Sequence, residues 1–366
     1  MNILYVGGFI LPDKNAAAQR VVSIAKALRD LGHNVIFLNA PKENVNEGWK
    51  EYFGFECYEY KREGLIDYLT SCNRITSLIE KKKIKAVIAY NHPAVALKRL
   101  VQYCRKNRIN CYADATEWYV AQGNPIFRIV KNFDSNLRMK KVHFQMDGII
   151  AISEFLFSYY RDGVKTIKVP PLVDIQENKW RTSVDKNTSV TKLVYAGSPD
   201  SQKERLDILV NSVDEISSVH NVILNVVGIT KEQYESIYGT NYCGTSVFFQ
   251  GRVSHDKALQ FVKEADWSVV IRDNNRVVKA GFPTKVAESI SAGTPVIANR
   301  FSNIEDYLDE TNSILIDGIT ELAHAIDKAV SYKTTVDVAM FDYRNYVQEL
   351  ANMFEIEGIT IGSSHE

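Results

Sequence analysis

The sequence lacks a long apolar run. Stretches such as 222–227 and 149–152 are far short of the roughly 20 residues a membrane-spanning helix needs. The start, Met1-Asn2-Ile3-Leu4-Tyr5-Val6, has neither a basic stretch nor a small-residue cleavage site, so no secretory leader is expected. The five cysteines, Cys57, Cys72, Cys104, Cys111 and Cys243, form no Cys-x-x-Cys pair. An odd, dispersed set argues against a zinc site or a disulfide framework, and for free thiols in the cytoplasm. No Asp-x-Asp pair occurs, and no metal is expected. No Gly-x-Gly-x-x-Gly follows the first strand, where Gly7-Gly8 runs into Phe9-Ile10, which disfavours a nicotinamide dehydrogenase. Net charge is absent too, with 44 basic against 44 acidic side chains, and nothing points to nucleic acid.

That balance hides an asymmetry. Residues 1–172 carry 26 basic and 16 acidic side chains, and residues 173–366 carry 18 and 28. A chain of 366 residues also exceeds what one core of roughly 250–300 residues supports, so two domains are expected. Such a split suggests two domains with different partners, although a solvated surface without a partner reads the same way. Short β-branched runs alternate with helical spacing throughout. The first half reads as strands 3–6, 34–38, 86–90, 110–113, 148–152 and 166–169, with helices 16–29, 94–105, 126–145 and 154–160. Pro170-Pro171 and a polar stretch then break the pattern. A second series follows, with strands 192–196, 222–227, 247–249, 267–271, 295–298 and 313–316, and helices 203–217, 256–264, 284–292 and 319–330. The expectation is an α/β chain of two doubly wound parallel-sheet domains facing a cleft: 1–172, a linker 173–191, and 192–335. A helical tail from about 336 to 366 is expected to pack back on the first. Ligands of such sheets sit at strand carboxyl ends.

The most informative segment is 280–298, AGFPTKVAESISAGTPVIA. A turn, Gly281-Phe282-Pro283, leads into a helix at Thr284, whose free N–H groups and positive dipole end suit a diphosphate. Glu288, four residues on, projects from the same side and can accept two hydrogen bonds from a ribose diol. An ordinary loop and helix with a surface glutamate is the other reading of these residues. The segment resembles the donor-binding signature of the retaining two-domain glycosyltransferases of group 1, which have the GT-B fold. Tyr195-Ala196-Gly197-Ser198-Pro199, followed by Lys203, resembles the strand and loop that open that family's C-terminal domain. Further pieces fall in the same order: Val226-Val227-Gly228, Gly251-Arg252-Val253-Ser254, Ala265-Asp266-Trp267, Ala151-Ile152-Ser153-Glu154 and Ala17-Ala18-Gln19-Arg20-Val21. The likeness covers nearly the whole chain.

The resemblance implies a transferase that moves a sugar from a nucleotide diphosphate sugar (UDP- or GDP-linked) to a glycan or lipid-linked acceptor in cell-surface polysaccharide or glycolipid assembly, with no cofactor. It implies a donor site at Gly197, Ser198, Lys203, Arg272, Gly281, Phe282, Pro283, Thr284 and Glu288, with Lys203 on the diphosphate and Glu288 on the ribose. Two positions depart from the family. Ala280 stands where an earlier glutamate is common, and Ser198 where an arginine is common; Arg272 is a candidate to supply that charge. In the first domain, Gln19, Asn91, His92, Asp114, Glu117 and Trp118 are acceptor-site candidates. His92 falls where the family often has an active-site histidine, so Lys203, Glu288 and His92 are the catalytic candidates. Helix capping by His92 and structural roles for the others compete with this.

The segment 125–145 places Ile126, Ile129, Val130, Phe133 and Leu137 on one face and carries Arg128, Lys131, Arg138, Lys140 and Lys141. Such a helix either turns its apolar face to the core or lies on an anionic membrane, which would make the protein peripheral to the inner face of the cytoplasmic membrane. The competing functions are a nucleotide-sugar epimerase of the same two-domain type and a non-catalytic nucleotide-binding subunit.

Overall fold

The computed structural model describes residues 1–12, 16–41, 45–62, 64–120, 124–181, 189–197, 199 and 204–354. Two compact units emerge. The first comprises residues 1–152, 156–169 and the chain from Tyr343 onward; the second comprises 153–155 and 170–342.

The first unit is built on eight strands: β1 (Asn2–Gly7), β2 (Asn34–Asn39), β3 (Gly48–Tyr52), β4 (Phe55–Glu59), β5 (Ala86–Tyr90), β6 (Asn110–Ala115), β7 (Gly148–Ala151) and β8 (Thr166–Lys168). Their order is β3-β4-β2-β1-β5-β6-β7-β8. Central strands are buried almost end to end, because helices cover both faces of a parallel sheet and leave no polar alternation. In register, Tyr5 lies beside Phe37 on one side and Ile88 on the other. Helix Ala16–Asp30 buries Val21, Val22, Ala25 and Leu28. After it, Gly32 takes φ +78°, and the amide of His33 reaches back to the carbonyl of Leu28 at 3.0 Å.

The sheet is mixed rather than wholly parallel, since β3 and β4 form an antiparallel edge ladder. These two short strands were not expected, nor were helices Leu65–Thr70 and Asn73–Lys81 after them, which start without a capping side chain. The expected helix 126–145 is three pieces: α-helix Pro125–Leu137, π-helix Arg138–Val142 and a 3-10 turn His143–Gln145.

The second unit holds six parallel strands: β9 (Thr191–Ala196), β10 (Val222–Val227), β11 (Val247–Phe249), β12 (Trp267–Val270), β13 (Val296–Asn299) and β14 (Ser313–Ile316), in the order β11-β10-β9-β12-β13-β14. The main core gathers Leu193, Leu209, Val213, Leu224, Val269 and Ile326. Helix Lys231–Tyr238, also unexpected, has a reciprocal capping box between Thr230 and Gln233 and ends at Gly239 in the left-handed region.

Residues 170–181 are part of this unit rather than a free linker. Trp180 is buried with Val173 and Leu259, and Val173 bridges Asp342. An apolar anchor inside a polar stretch explains the difference. The tail becomes helical only at Tyr343, where it joins the first unit through Tyr343–Tyr346 and Val347–Met353.

Candidate functional site

In the second unit, the residues of interest converge where β9 and β12 end. Gly197 follows β9 with φ +145°. A Cβ there would lie 2.5 Å from Cε of Lys285, so no side chain fits while that lysine passes. Lys285 is the second residue of helix Thr284–Ser291, whose N-cap, Pro283, supplies no capping side chain. Its ammonium lies 3.8 Å from the centre of the Tyr195 ring and bonds both oxygens of Glu204, at 2.8 and 2.7 Å. Arg272, just past β12, donates to the same carboxylate at 2.8 Å, and the Tyr195 hydroxyl donates to it as well.

Glu204 is thus a buried carboxylate between two cations. Burial alone would raise its pKa, but Lys285 and Arg272 outweigh that and hold it at about 2. For Lys285, burial dominates over the help from Glu204 and brings the ammonium down to about 8, still charged at neutral pH. Two cations here share one buried carboxylate beside a helix N-terminus, with Glu288 one turn further along the helix. That is an environment for an anion. Arg272 is further held by Asn299, which accepts from its backbone N–H and donates to its carbonyl, both at 2.8 Å. Its buried Nε has no partner among the described residues.

Glu288 lies one turn along the same helix, half-buried and 3.2 Å from Nε2 of His255. The turn before the helix is less exposed than a binding loop would be. Phe282 is buried and packs edge-on against Tyr307 at 5.3 Å, so it supports the turn from below. Gly281 is pinned through its carbonyl, which accepts from Ser302 at 2.8 Å. Ala280 is fully buried, with its carbonyl taken by Ser153. Thr284 is half-buried at the helix start. Ser198 and Lys203 lie outside the described residues. Lys285 and Glu204 were missed from sequence, although Lys285 stands three residues before Glu288 on the same helix face, which was a usable signal.

The first unit contains a cavity of about 270 Å³ at the carboxyl ends of β1 and β2, lined among others by Tyr60, Asp67, Tyr68, Ser71, Asn73 and His92. His92 is 6% exposed, and among the described residues both its ring nitrogens lack a partner. Burial, with Arg138 and Arg62 nearby, pushes its pKa down to about 3. At neutral pH the ring is therefore uncharged, with one donor and one acceptor to offer, and is not a reservoir of protons. Asn91 supports it. Its amide bonds Thr116 at 2.6 Å, and the carbonyls of Asn91 and His92 both accept from Arg138.

Two other first-unit candidates, Asp114 and Trp118, are buried and held by neighbouring side chains. Asp114 lies inside β6 rather than after it and is fully buried. Tyr5 donates to one of its oxygens at 2.7 Å, Arg20 Nε reaches both at 2.9 and 3.2 Å, and Arg20 Nη2 lies 2.8 Å from Oδ1, so the buried carboxylate is engaged on both oxygens. Trp118 is also buried, bonded to Asn136 at 3.2 Å and packed on Tyr159. It has no open face for stacking. Gln19 and Glu117 are half-buried.

Residues 190–331 match the group 1 glycosyl transferases. No curated protein is significantly similar to the chain in sequence. Solved structures agree over nearly its full length. Sucrose-phosphate synthase from Thermosynechococcus elongatus superposes with a TM-score of 0.71 at 14% identity, covering 97% of this chain and 98% of that one. HepE of Anabaena, solved with UDP and glucose, gives 0.66 at 14% identity over 97% and 99%. The lipopolysaccharide outer core galactosyltransferase WaaB gives 0.64 at 12% over 97% and 99%. The second unit thus matches the group 1 glycosyl transferases, and the chain as a whole has the GT-B fold of these structures.

Proposed function

We propose that the second unit holds a UDP- or GDP-sugar and that the first engages a glycan or lipid-linked acceptor, in the assembly of a cell-surface polysaccharide or glycolipid. The observation that carries the donor half is the pair of cations, Lys285 and Arg272, sharing the single buried carboxylate of Glu204 beside the Thr284 helix start. A diphosphate supplies the missing negative charge. Glu288 then accepts from the ribose diol, and Gly197 leaves room for Lys285 to reach the site.

In the reaction, the acceptor oxygen bonds the anomeric carbon on the face from which the diphosphate departs. The bond to the phosphate oxygen breaks, and the acceptor's proton passes to the departing phosphate. Negative charge grows on the leaving group, and Lys285, Arg272 and the helix N-terminus stabilise it as it forms. His92 takes no proton in this scheme. Its neutral ring, with Asp67, Ser71 and Asn73 around it, suits the hydroxyls of an acceptor sugar.

Mass spectrometry of the protein with a panel of nucleotide sugars, with and without membrane-extracted lipid acceptors, tests the reading. Release of nucleoside diphosphate together with a glycosylated product supports it. Nucleotide binding with no turnover on any acceptor would turn it into a binding subunit, and a free sugar of altered configuration would make it an epimerase.

A further inference from the structure

Helix Pro125–Leu137 has its polar side inward. The two residues it buries are Asp134 and Ser135, and Asp134 accepts from the backbone N–H of Ala94 at 2.8 Å, so it caps helix Ala94–Lys106. The apolar residues face the other way. Ile126 is 73% exposed, Ile129 70%, Val130 51% and Phe133 65%. Their spacing of i, i+3, i+4 and i+7 makes one continuous stripe, the stripe that a globular helix normally turns to its core. Phe127 is half exposed beside it. A contiguous apolar surface of this kind marks an interaction face.

Charge identifies the partner. Of the six ionised side chains in 125–141, Asp134 and Arg138 are buried, while Arg128, Lys131, Lys140 and Lys141 are exposed or half-buried. The solvent face is therefore apolar and cationic, with no acid. In a symmetric dimer that pairs this face with itself, four cations would meet four. A neutral apolar groove on a protein would leave all four unmatched. An anionic lipid surface matches both features. Among the described residues no helix is long and apolar enough to cross a membrane, so the segment can lie only in the plane of the interface.

We propose that this helix docks the protein on an anionic lipid bilayer. Ile126, Ile129, Val130 and Phe133 enter the boundary between head groups and acyl chains, and Arg128, Lys131, Lys140 and Lys141 meet lipid phosphates. The docking rests on the proposed function only for its purpose, which is to bring the enzyme to an acceptor lying in that plane.

The test is flotation of the full chain with vesicles of phosphatidylcholine alone and of phosphatidylcholine with phosphatidylglycerol, without donor or acceptor. The parent should float with the anionic vesicles only, and high salt should weaken this. The double variant Ile129→Ser, Phe133→Ser changes two exposed side chains, so the fold should hold, and partitioning should fall by about tenfold or more. Reversal of Lys140 and Lys141 to Glu should remove the preference for anionic vesicles. Absence of vesicle binding by the parent, or equal binding by the serine variant, overturns the proposal. So does light scattering that shows a parent dimer which the serine variant breaks. Unchanged UDP or GDP binding by calorimetry shows that the variants are folded. Because flotation uses no substrate, its failure leaves the transferase reading standing, and loss of turnover leaves the docking standing.

Discussion

The two candidate sites differ in how they treat charge. In the second unit, a carboxylate is buried and every partner is ionised or a phenol: Glu204 sits among Lys285, Arg272 and Tyr195. In the first, the cavity presents a neutral ring, His92, whose nitrogens have no partner among the described residues. The cluster in the second unit pairs its carboxylate with two cations, whereas the His92 ring in the first unit leaves two hydrogen-bonding atoms without a partner among the described residues, which costs free energy until something fills the cavity. An anionic nucleotide suits the one, and a polyhydroxyl ring suits the other.

The largest expected effect breaks the charged side of that contrast. Lys285→Ala removes a cation that acts most strongly as the leaving group develops charge. Turnover should fall by about 100-fold, more than nucleoside diphosphate affinity falls. The measurement is kcat beside calorimetric Kd, with Lys285→Arg as the variant that retains charge. If Lys285→Ala turns over like the parent, the cluster is structural only.

A pH series sharpens the same point. Lys285 is lowered from the ordinary lysine value to about 8 by burial, partly countered by Glu204 and reinforced by Arg272. Between about 8 and the unfolded value of about 10.4, the unfolded chain binds more protons, so this group makes stability rise with pH. Donor affinity should move the opposite way and fall over that window as the ammonium loses its proton. Thermal melts and calorimetry on the same samples separate the two trends.

Glu288→Gln keeps shape and removes charge. Hydrogen bonds to the ribose should weaken by about 1–2 kcal/mol, roughly five- to thirtyfold in nucleotide affinity. Affinity equal to the parent's would leave Glu288 as a partner of His255 alone.

His92→Phe should have the smallest effect. It keeps the ring and removes two neutral hydrogen bonds of about 0.5–1.5 kcal/mol each, so acceptor KM should rise by about tenfold while donor affinity stays unchanged. The pH profile of turnover should keep its shape, because His92 is already neutral. A changed profile would make it a proton carrier after all.

Much of this molecule was legible in the amino-acid order. Buried parallel strands announce themselves by β-branched runs, and the ends of helices by glycine and capping residues, because those preferences are local. The segment from Ala280 to Ala298 likewise specified a turn, a helix and a carboxylate one turn in. The β3–β4 ladder is different, because an edge hairpin depends on its neighbour for pairing and carries little signal of its own. Asp114 and Trp118 looked available because sequence shows residue type and position, not whether Arg20 or Tyr159 already occupies them. The helix at Pro125 shows the limit most clearly. Its spacing determined that one face is apolar, but only tertiary packing decided that Asp134 would turn inward to cap a neighbouring helix, which left Ile126, Ile129 and Phe133 in water. Amphipathic periodicity determines which residues share a face; what lies against each face depends on contacts between residues far apart in the chain.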